Sequence, residues 1–568
     1  MTNYQFTGGT ICAPATIPGT GAISIIRVSG KESLAIADKV IDTKGVPIAE
    51  TEGYRLRYGT VFEADGSVLD NVIVSVFRAP HSYTGENSVE ISCHASRFIV
   101  NKILELLVNA GARIAAPGEF TRRAFVNGKM DLAQAEAVAD VIASQSAASH
   151  RVAMNQLKGG FSSELKVLRE KLLTMTSLLE LELDFSEEDV EFASRKELGQ
   201  LVDDSLTHIR RLTASFSRGN AIKNGIPVAI VGATNTGKST LLNALLGEER
   251  AIVSDIAGTT RDTIEETLNI DGILFRFIDT AGIRETDETI EKIGIDRTFK
   301  KLGEASVVLG MTDLSRGEAA VLEDADFILS KVNEMGGVKN VGTENDGSET
   351  GGASPAETGG TALAETGGTP LAGTDGASLA ETGRTPRSET GGTSQHGHGA
   401  GQERKVVILV NKCDVAGSFY KDDNGTGDGS GNDLGENMAE IGGNKNVNHD
   451  NNIVSLIKNK YDNCKVIPIS AKTGKGLSTL TKTLGEIGSE ITGSTDETLV
   501  TNVRHYEALV RAASALERVR AGLHIATLPP DLIAQDLREA LYHLGEIVGE
   551  ISTDETLGNI FRNFCIGK

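Results

Sequence analysis

The chain has no tryptophan, and phenylalanine and tyrosine bring its aromatic content to only 4%. The remaining composition is globular, 39% hydrophobic and 24% charged, and 568 residues suffice for several domains. Cysteine is also scarce. Cys12, Cys93, Cys413, Cys464 and Cys565 are scattered and form no C-x-x-C pair, so neither a zinc site nor a disulfide framework is suggested. Reduced thiols in the cytoplasm are the plain reading. No stretch reaches the ~18 consecutive apolar residues of a membrane span. The start, Met1-Thr2-Asn3-Tyr4-Gln5, lacks the basic segment and apolar core of a signal peptide, so none is expected. Positive charge is in deficit. A formal net charge of −22 argues against wide non-specific contact with nucleic acid, although a local basic patch is compatible with it. No G-x-G-x-x-G strand–helix fingerprint is apparent, and residues 1–128 hold no recognisable catalytic triad.

What is present is a phosphate-binding loop. Residues 232–239 read Gly-Ala-Thr-Asn-Thr-Gly-Lys-Ser, matching G-x-x-x-x-G-K-[ST] at every fixed position. An apolar β-rich run, Ile226–Val231, precedes it, and a helix start, Thr240–Leu246, follows. Loop and helix N–H groups then face one anion, Lys238 reaches the β- and γ-phosphates, and the Ser239 hydroxyl sits on Mg²⁺. Asn235, Thr236, Gly237 and Thr240 complete the contacts expected of this loop. Four further elements follow in order. The segment Gly258-Thr259-Thr260-Arg261-Asp262 occupies a switch position, with Ser254, Asp255, Ile256 and Ala257 before it as further nucleotide-contact candidates, Thr260 the second Mg²⁺ candidate and Arg261 and Asp262 catalytic candidates. Asp279-Thr280-Ala281-Gly282 follows the apolar run 273–278, its acid placed toward Mg²⁺ and its glycine N–H toward the γ-phosphate. Asn411-Lys412-Cys413-Asp414 follows the strand 406–410. Asp414 can accept from guanine N1–H and the 2-amino group, whereas adenine leaves that carboxylate unpaired. Ser470-Ala471-Lys472 follows a fourth strand and supports the base from its far side. Asn-Lys-x-Asp alone is a weak signal, but five ordered elements specify GTP. Where many small GTPases place a glutamine to orient water, this chain has Ile283, so hydrolysis needs a cation, an acid or a partner.

The organisation around that module is legible. Residues 1–128 read as an α+β domain, with strands at 23–28 and 71–77 and a helix over 97–110 ending at Gly111. Residues 129–219 turn helical. Leu165, Leu168, Leu172, Met175, Leu179 and Leu183 recur at steps of three and four, a packing stripe. The acidic run Glu187–Glu191 reads as a solvated loop. The GTPase module spans 220–488 and carries two interruptions. One, about 336–404, repeats a Glu-Thr-Gly(-Gly) octapeptide with almost nothing large and apolar, so disorder is expected. The other, about 416–452, is rich in Asn, Gly and Asp. Helical patterning returns over 489–568, with helices at 506–522 and 533–551 that pack on the earlier helical segment. The fold class is thus multidomain, α+β followed by a split helical domain with a Ras-like P-loop α/β GTPase inserted.

These features resemble the MnmE (TrmE) family of tRNA-modification GTPases. The motifs that carry the likeness are Ile25–Gly30, Ser82-Tyr83-Thr84-Gly85-Glu86, Pro117–Thr121, Asn127–Leu132 with Gln134–Ala137, the switch Asp279–Glu285, and Phe564-Cys565-Ile566-Gly567-Lys568. The resemblance covers the chain outside its two insertions. It implies an N-terminal domain that binds 5-formyl- or 5,10-methylene-tetrahydrofolate through Arg27, Glu86, Lys129 and Lys568. Unaided, Arg27 and Glu86 read as ordinary surface charges. Cys565 falls near that site and otherwise reads as a small buried hydrophobe. The resemblance also implies K⁺ held by Asn235, Ser254, Ile256 and Thr259, a water-aligning acid at Glu291, and a homodimer in which two GTPase domains approach each other. It further implies an MnmG flavoprotein partner in a heterotetramer-like complex that brings FAD, and a product at C5 of the wobble uridine of certain tRNAs. The chain departs from the family at Thr234, where proline is usual, and at Ser92–Ser96, which is less glycine-rich. A regulatory GTPase of ribosome assembly or signalling, without modification chemistry, is the alternative class.

Overall fold

The computed structural model describes residues 8–184, 195–249, 266–278, 303–334, 404–414, 453–461, 464–493, 497–525, 529–551, 554–562, 564 and 567. In the N-terminal part, alternating apolar residues build a seven-stranded sheet: β1 (Ile11–Pro14), β2 (Ile23–Ser29), β3 (Ile41–Asp42), β4 (Arg55–Phe62), β5 (Val68–Phe77), β6 (Ser88–His94) and β7 (Arg113–Ile114). Their order is β3-β4-β5-β6-β2-β1-β7, antiparallel except where β1 meets β7. The two-residue period decides the faces. Val72, Val74 and Val76 of β5 are buried, while Asn71 and Ile73 between them are exposed. Helices α1 (Ser33–Val40) and α2 (Arg97–Asn109) cover the buried face. α2 stops where Gly111 takes φ +117°, a conformation that costs glycine little. Over β1 the opposite face is covered by α3 (Glu119–Val126), whose Phe120 packs with Ile11, Ala13 and Tyr83.

The helical part is assembled from both ends of the chain. Helices α4 (Leu132–Ala143), α5 (Ala147–Leu157), α6 (Gly160–Asp184), α7 (Arg195–Ala214) and α8 (Phe216–Asn224) precede the GTPase module; Val503–Leu523, Pro530–Val548 and Asp554–Arg562 follow it. Leu165, Leu168, Leu172, Met175 and Leu179 of α6 share one core with Val202 and Ile209 and with Leu516, Leu537 and Leu544 from the far end. Leu183's side chain, like the acidic run 187–191, lies outside the described residues. A capping box starts α4, with Asp131 accepting from Gln134 N. A buried ionic contact joins the halves, for Glu136 Oε2 lies 2.6 Å from His505 Nε2 and 2.9 Å from Arg504 Nη2. The helix expected over 533–551 ends earlier, at Val548, because Gly549 takes φ +83° and closes it. The helix expected from Tyr506 begins earlier, at Val503, where the Asn502 side chain accepts from Arg504 N.

The inserted module is a six-stranded sheet in the order β13-β12-β11-β8-β10-β9. Its strands are β8 (Ile226–Gly232), β9 (Glu266–Ile270), β10 (Ile273–Ile278), β11 (Val307–Asp313), β12 (Lys405–Asn411) and β13 (Lys465–Pro468). All pairs are parallel except β9–β10, and both faces are covered, by α9 (Lys238–Glu249) with Leu477–Thr492 on one side and Glu318–Glu334 with Ile453–Lys460 on the other. Parallel strands covered twice read as continuous apolar runs, as Lys405–Asn411 does. The Asp271-Gly272 turn between β9 and β10, with φ +53° and +80°, rests on the helical part. There Ala148 N donates to Gly272 O at 3.3 Å, and Asn269 Nδ2 donates to Gln145 O at 3.0 Å.

Candidate nucleotide site and an N-terminal charge cluster

The phosphate loop leaves β8 at Gly232 and enters α9 at Lys238. Its path needs two left-handed residues, Asn235 at φ +62° and Gly237 at φ +95°. Asparagine is among the few side-chain-bearing residues that tolerate this region. At Gly237 a Cβ would stand 2.5 Å from Asn411 Nδ2, so only glycine fits. Thr236 is fully buried and its hydroxyl donates to Ala233 O at 2.9 Å. Lys238 Nζ donates to the carbonyls of Gly232 at 3.0 Å and Ala233 at 2.8 Å, which holds the ammonium over the loop. Burial pushes that ammonium below its ordinary pKa. Ser239 and Thr240 follow in the first turn of α9, with Ser239 half-buried and Thr240 exposed.

One side chain ties three sequence motifs together. Asn411, buried at the end of β12, donates through Nδ2 to Thr236 O at 2.7 Å and accepts through Oδ1 from Ala471 N at 3.0 Å. The phosphate loop, the Asn-Lys-x-Asp segment and Ser470-Ala471-Lys472 therefore form one unit. Lys412 is held at φ +64°, and its Nζ donates to Asp313 Oδ2 at 2.6 Å. Asp414 stands exposed beyond it. The Ser470 hydroxyl first, and with lesser effect the backbone, Lys472 and Lys412, hold its carboxyl below the usual range against the opposing effect of burial. An ionised carboxylate accepts without donating, which is what guanine N1–H and the 2-amino group require. Ser470 and Ala471 are buried and Lys472 is exposed. Asp313 and Ser315 were not singled out from sequence. The signal was an acid ending an apolar strand, Val307–Asp313, with serine two positions on.

The other half of the expected site lies outside the described residues. This holds for Ser254, Asp255, Ile256, Ala257, Gly258, Thr259, Thr260, Arg261, Asp262, Asp279, Thr280, Ala281, Gly282, Ile283 and Glu291, and for Cys565 and Lys568. β9 begins directly after the first of these stretches, and β10 ends directly before the second.

In the N-terminal sheet the structure brings Arg27, Glu86 and Lys129 into one neighbourhood and gives each a partner. Arg27 donates from Nε and Nη2 to Glu90 Oε1 at 2.9 and 2.8 Å, and its guanidinium lies over the Tyr83 and Phe120 rings. Glu86 accepts from Arg123 Nη1 at 2.9 Å and from Ser29 Oγ at 2.8 Å. Lys129 Nζ donates to Pro80 O at 3.0 Å, and its stem lies beside Gly85. Glu119, buried to 1% exposure, joins the cluster through Arg113 and Arg123. Burial would raise its carboxyl, but the two guanidinium groups and Ala116 N hold it below the usual range. The chain's far end closes this region. Gly567 is buried and its carbonyl accepts from Arg27 Nη1 at 3.5 Å. A Cβ on Gly567 would meet Pro14 O at 2.0 Å. Glu90, Arg113 and Arg123 escaped the sequence reading, and Glu119 entered it only within the Pro117–Thr121 motif. Arg113 and Arg123 lie six and four positions from Glu119, but the contacts that tie this group to Arg27 and Glu86 span 63 and 37 positions, and no spacing links those. No group of three or more His, Cys, Asp or Glu able to hold a metal occurs among the described residues, and no described helix is long and apolar enough to cross a membrane.

Comparison with known proteins gives two family matches. The profile of the MnmE helical domain matches residues 132–565, and that of the GTP-binding protein TrmE N-terminus matches residues 10–129. A "tRNA modification GTPase MnmE" of Parabacteroides distasonis is 43% identical over 562 residues, 98% of this chain and 100% of that protein. The protein of the same name from Bacteroides thetaiotaomicron is 43% identical over 562 residues, 98% of this chain and 99% of that one. That of Porphyromonas gingivalis is 41% identical over 573 residues, 100% of this chain and 99% of that one. A solved GTP-binding protein of Sulfolobus solfataricus in complex with GDP aligns with a TM-score of 0.24 at 14% identity, over 57% of this chain and 67% of that one, too distant to weigh on the fold.

Proposed function

The chain belongs to the MnmE family of tRNA-modification GTPases, and from that premise we propose that it is a GTP hydrolase acting in tRNA modification. The observation that carries the reading is the Asn411 clamp. One buried amide joins the phosphate loop to both base-reading segments, so phosphate and base positions are set by a common rigid unit. Lys238 supplies charge at the transferring phosphoryl group and Asp414 selects guanine. Ser239, an oxygen donor in the first turn of α9, suits a hard divalent cation, with Thr260 its counterpart. Held there, Mg²⁺ would neutralise negative charge on the bound phosphates. Asn235 is exposed at a left-handed position of the loop, and its side-chain oxygen would hold K⁺ together with Ser254, Ile256 and Thr259. Such a cation would supply positive charge against the transition state where Ile283 stands in the place of the usual glutamine. Glu291 aligns the water, with Arg261 and Asp262 as further catalytic candidates.

The N-terminal cluster binds the one-carbon donor in this reading. Its cations Arg27, Arg113, Arg123 and Lys129 outnumber its carboxylates Glu86, Glu90 and Glu119, four against three, which suits an anionic folate. Lys568 and Cys565 are sequence neighbours of the buried Gly567, whose carbonyl accepts from Arg27 Nη1. The chain works as a homodimer in the cytoplasm, with an MnmG flavoprotein that brings FAD, and modifies C5 of wobble uridine. The test is reconstitution. The purified chain, the flavoprotein, 5,10-methylene-tetrahydrofolate, GTP and unmodified tRNA should together yield a C5-substituted uridine by nucleoside mass spectrometry. GTP turnover without any modified uridine would favour the regulatory GTPase instead.

A further inference from the structure

Strand β11 ends in Asp313, and the β11–β12 register sets Asp313 opposite Asn411, next to Lys412. Asp313 is 5% exposed. Its Oδ1 accepts from Ser315 N at 2.9 Å and from Ser315 Oγ at 2.6 Å. That leaves Oδ2 to take the Lys412 ammonium at 2.6 Å. The carboxylate is thus fixed from one side and presents a single oriented oxygen on the other. Lys412 leaves the backbone at φ +64°, a conformation that tertiary contacts must impose on a lysine. Both ends of a side chain with four rotatable bonds are then pinned, and its charge lies near enough to Asp414, two residues on, to help lower that carboxyl. A hydrocarbon stem carrying a distal charge is a good face for a flat purine.

We propose that Asp313 is a positioning residue for guanine nucleotides: by holding the Lys412 ammonium it sets the lysine stem as a wall for the purine face, while Asp414 reads the edge. The proposal rests on the GTPase reading and deepens it, because it divides base recognition between a face-holding pair and an edge-reading acid. Burial alone would raise the Asp313 carboxyl, but the Lys412 ammonium and Ser315 hold it below the usual range, which keeps it charged for this task. Loss of the pair frees the lysine and leaves its rotamers to be ordered on binding.

The test uses the full chain, with GDP and inosine diphosphate titrated by calorimetry. Asp313→Asn keeps the acceptor that Ser315 uses and removes the charged partner. It should weaken both nucleotides roughly tenfold and leave their affinity ratio unchanged, because inosine lacks only the 2-amino group that Asp414 reads. Lys412→Ala should weaken them to a similar degree, and Asp313→Asn added to it should cost less than about a further twofold, the non-additivity of two groups acting as one. A loss of equal size in both backgrounds would assign Asp313 to general support of the loop and overturn the proposal. So would a changed GDP-to-inosine-diphosphate ratio, or no loss at all. If the unaltered chain bound neither GDP nor GTP, the guanine reading itself would fail, a result distinguishable from all of these.

Discussion

The nucleotide site and the N-terminal charge cluster use charge in opposite ways. Around Asp414 the acid stands exposed, and its polarity is tuned by a hydroxyl and two lysines. In the N-terminal sheet Arg27, Glu86 and Glu119 each sit against opposite charge at hydrogen-bond distance. The first arrangement is a set of acceptors awaiting a ligand's donors. The second is a closed ionic network, where any ligand must exchange with internal partners. A preorganised open site gains most of its binding energy from new contacts, whereas a closed one gains only the difference between old and new.

Four measurements break or sharpen that contrast. The largest effect is expected at Asp414. Asp414→Asn should lower GTP affinity by about a hundredfold or more, because an amide N–H set against the guanine 2-amino group leaves donors facing each other. It should raise affinity for xanthosine triphosphate, whose 2-oxo group accepts. Calorimetry with both nucleotides decides this, and an unchanged preference for GTP would remove Asp414 from base reading.

The second concerns the closed network. Glu119→Gln leaves two guanidinium groups without their buried carboxylate, a loss of about 3 kcal/mol in the stability of the N-terminal sheet. Nucleotide affinity should not change. The pH dependence has the same origin. The folded pKa of Glu119 lies below the ordinary glutamate value, so its contribution is complete above the unfolded pKa and is lost as pH falls through the folded value. Urea titrations followed by tyrosine fluorescence should show the N-terminal transition weakening below about pH 4.5. Glu119→Gln should flatten that dependence.

Third, Arg27→Ala should weaken 5-formyltetrahydrofolate by roughly tenfold, and Glu90→Gln should weaken it less or strengthen it, since it releases Arg27 from its internal partner. Folate binding indifferent to both substitutions would detach the cluster from that ligand. The smallest effect is expected at Asn235. GTP hydrolysis should run several-fold faster in K⁺ than in Na⁺ at equal ionic strength, an effect of about 1 kcal/mol on the barrier. Asn235→Gly keeps the left-handed backbone that Asn235→Ala would strain, so loss of the K⁺ preference in the glycine variant isolates the side-chain oxygen. Equal rates in both salts with the unaltered chain would end the potassium argument.

The nucleotide site was legible because its parts are local. A strand, a glycine loop and a helix start occupy 24 contiguous residues from Ile226 to Glu249, and the expected roles of Lys238 and Ser239 follow from spacing, whereas that of Asn235 is implied by the resemblance. The Asn411 clamp was not legible. Its partners Thr236 and Ala471 lie 175 and 60 positions away, and asparagine before lysine reads equally well as a base ligand. The helix end at Val548 was missed because apolar periodicity continues to Ile551 while Gly549 silently stops the helix. The Asp313–Lys412 pair spans 99 positions and the 69-residue stretch 335–403, so no window joins them.

The sequence by itself marked the candidate phosphate-binding and guanine-reading groups, and indicated that helical segments at both ends share a core. Each depends on a local period or on the chemistry of a single side chain. Only the tertiary structure decided which charges are open and which are already satisfied. Charge state and partnership depend on distance and burial, and those are set when the β11–β12 register and the docking of Gly567 against Pro14 bring remote residues within hydrogen-bond reach.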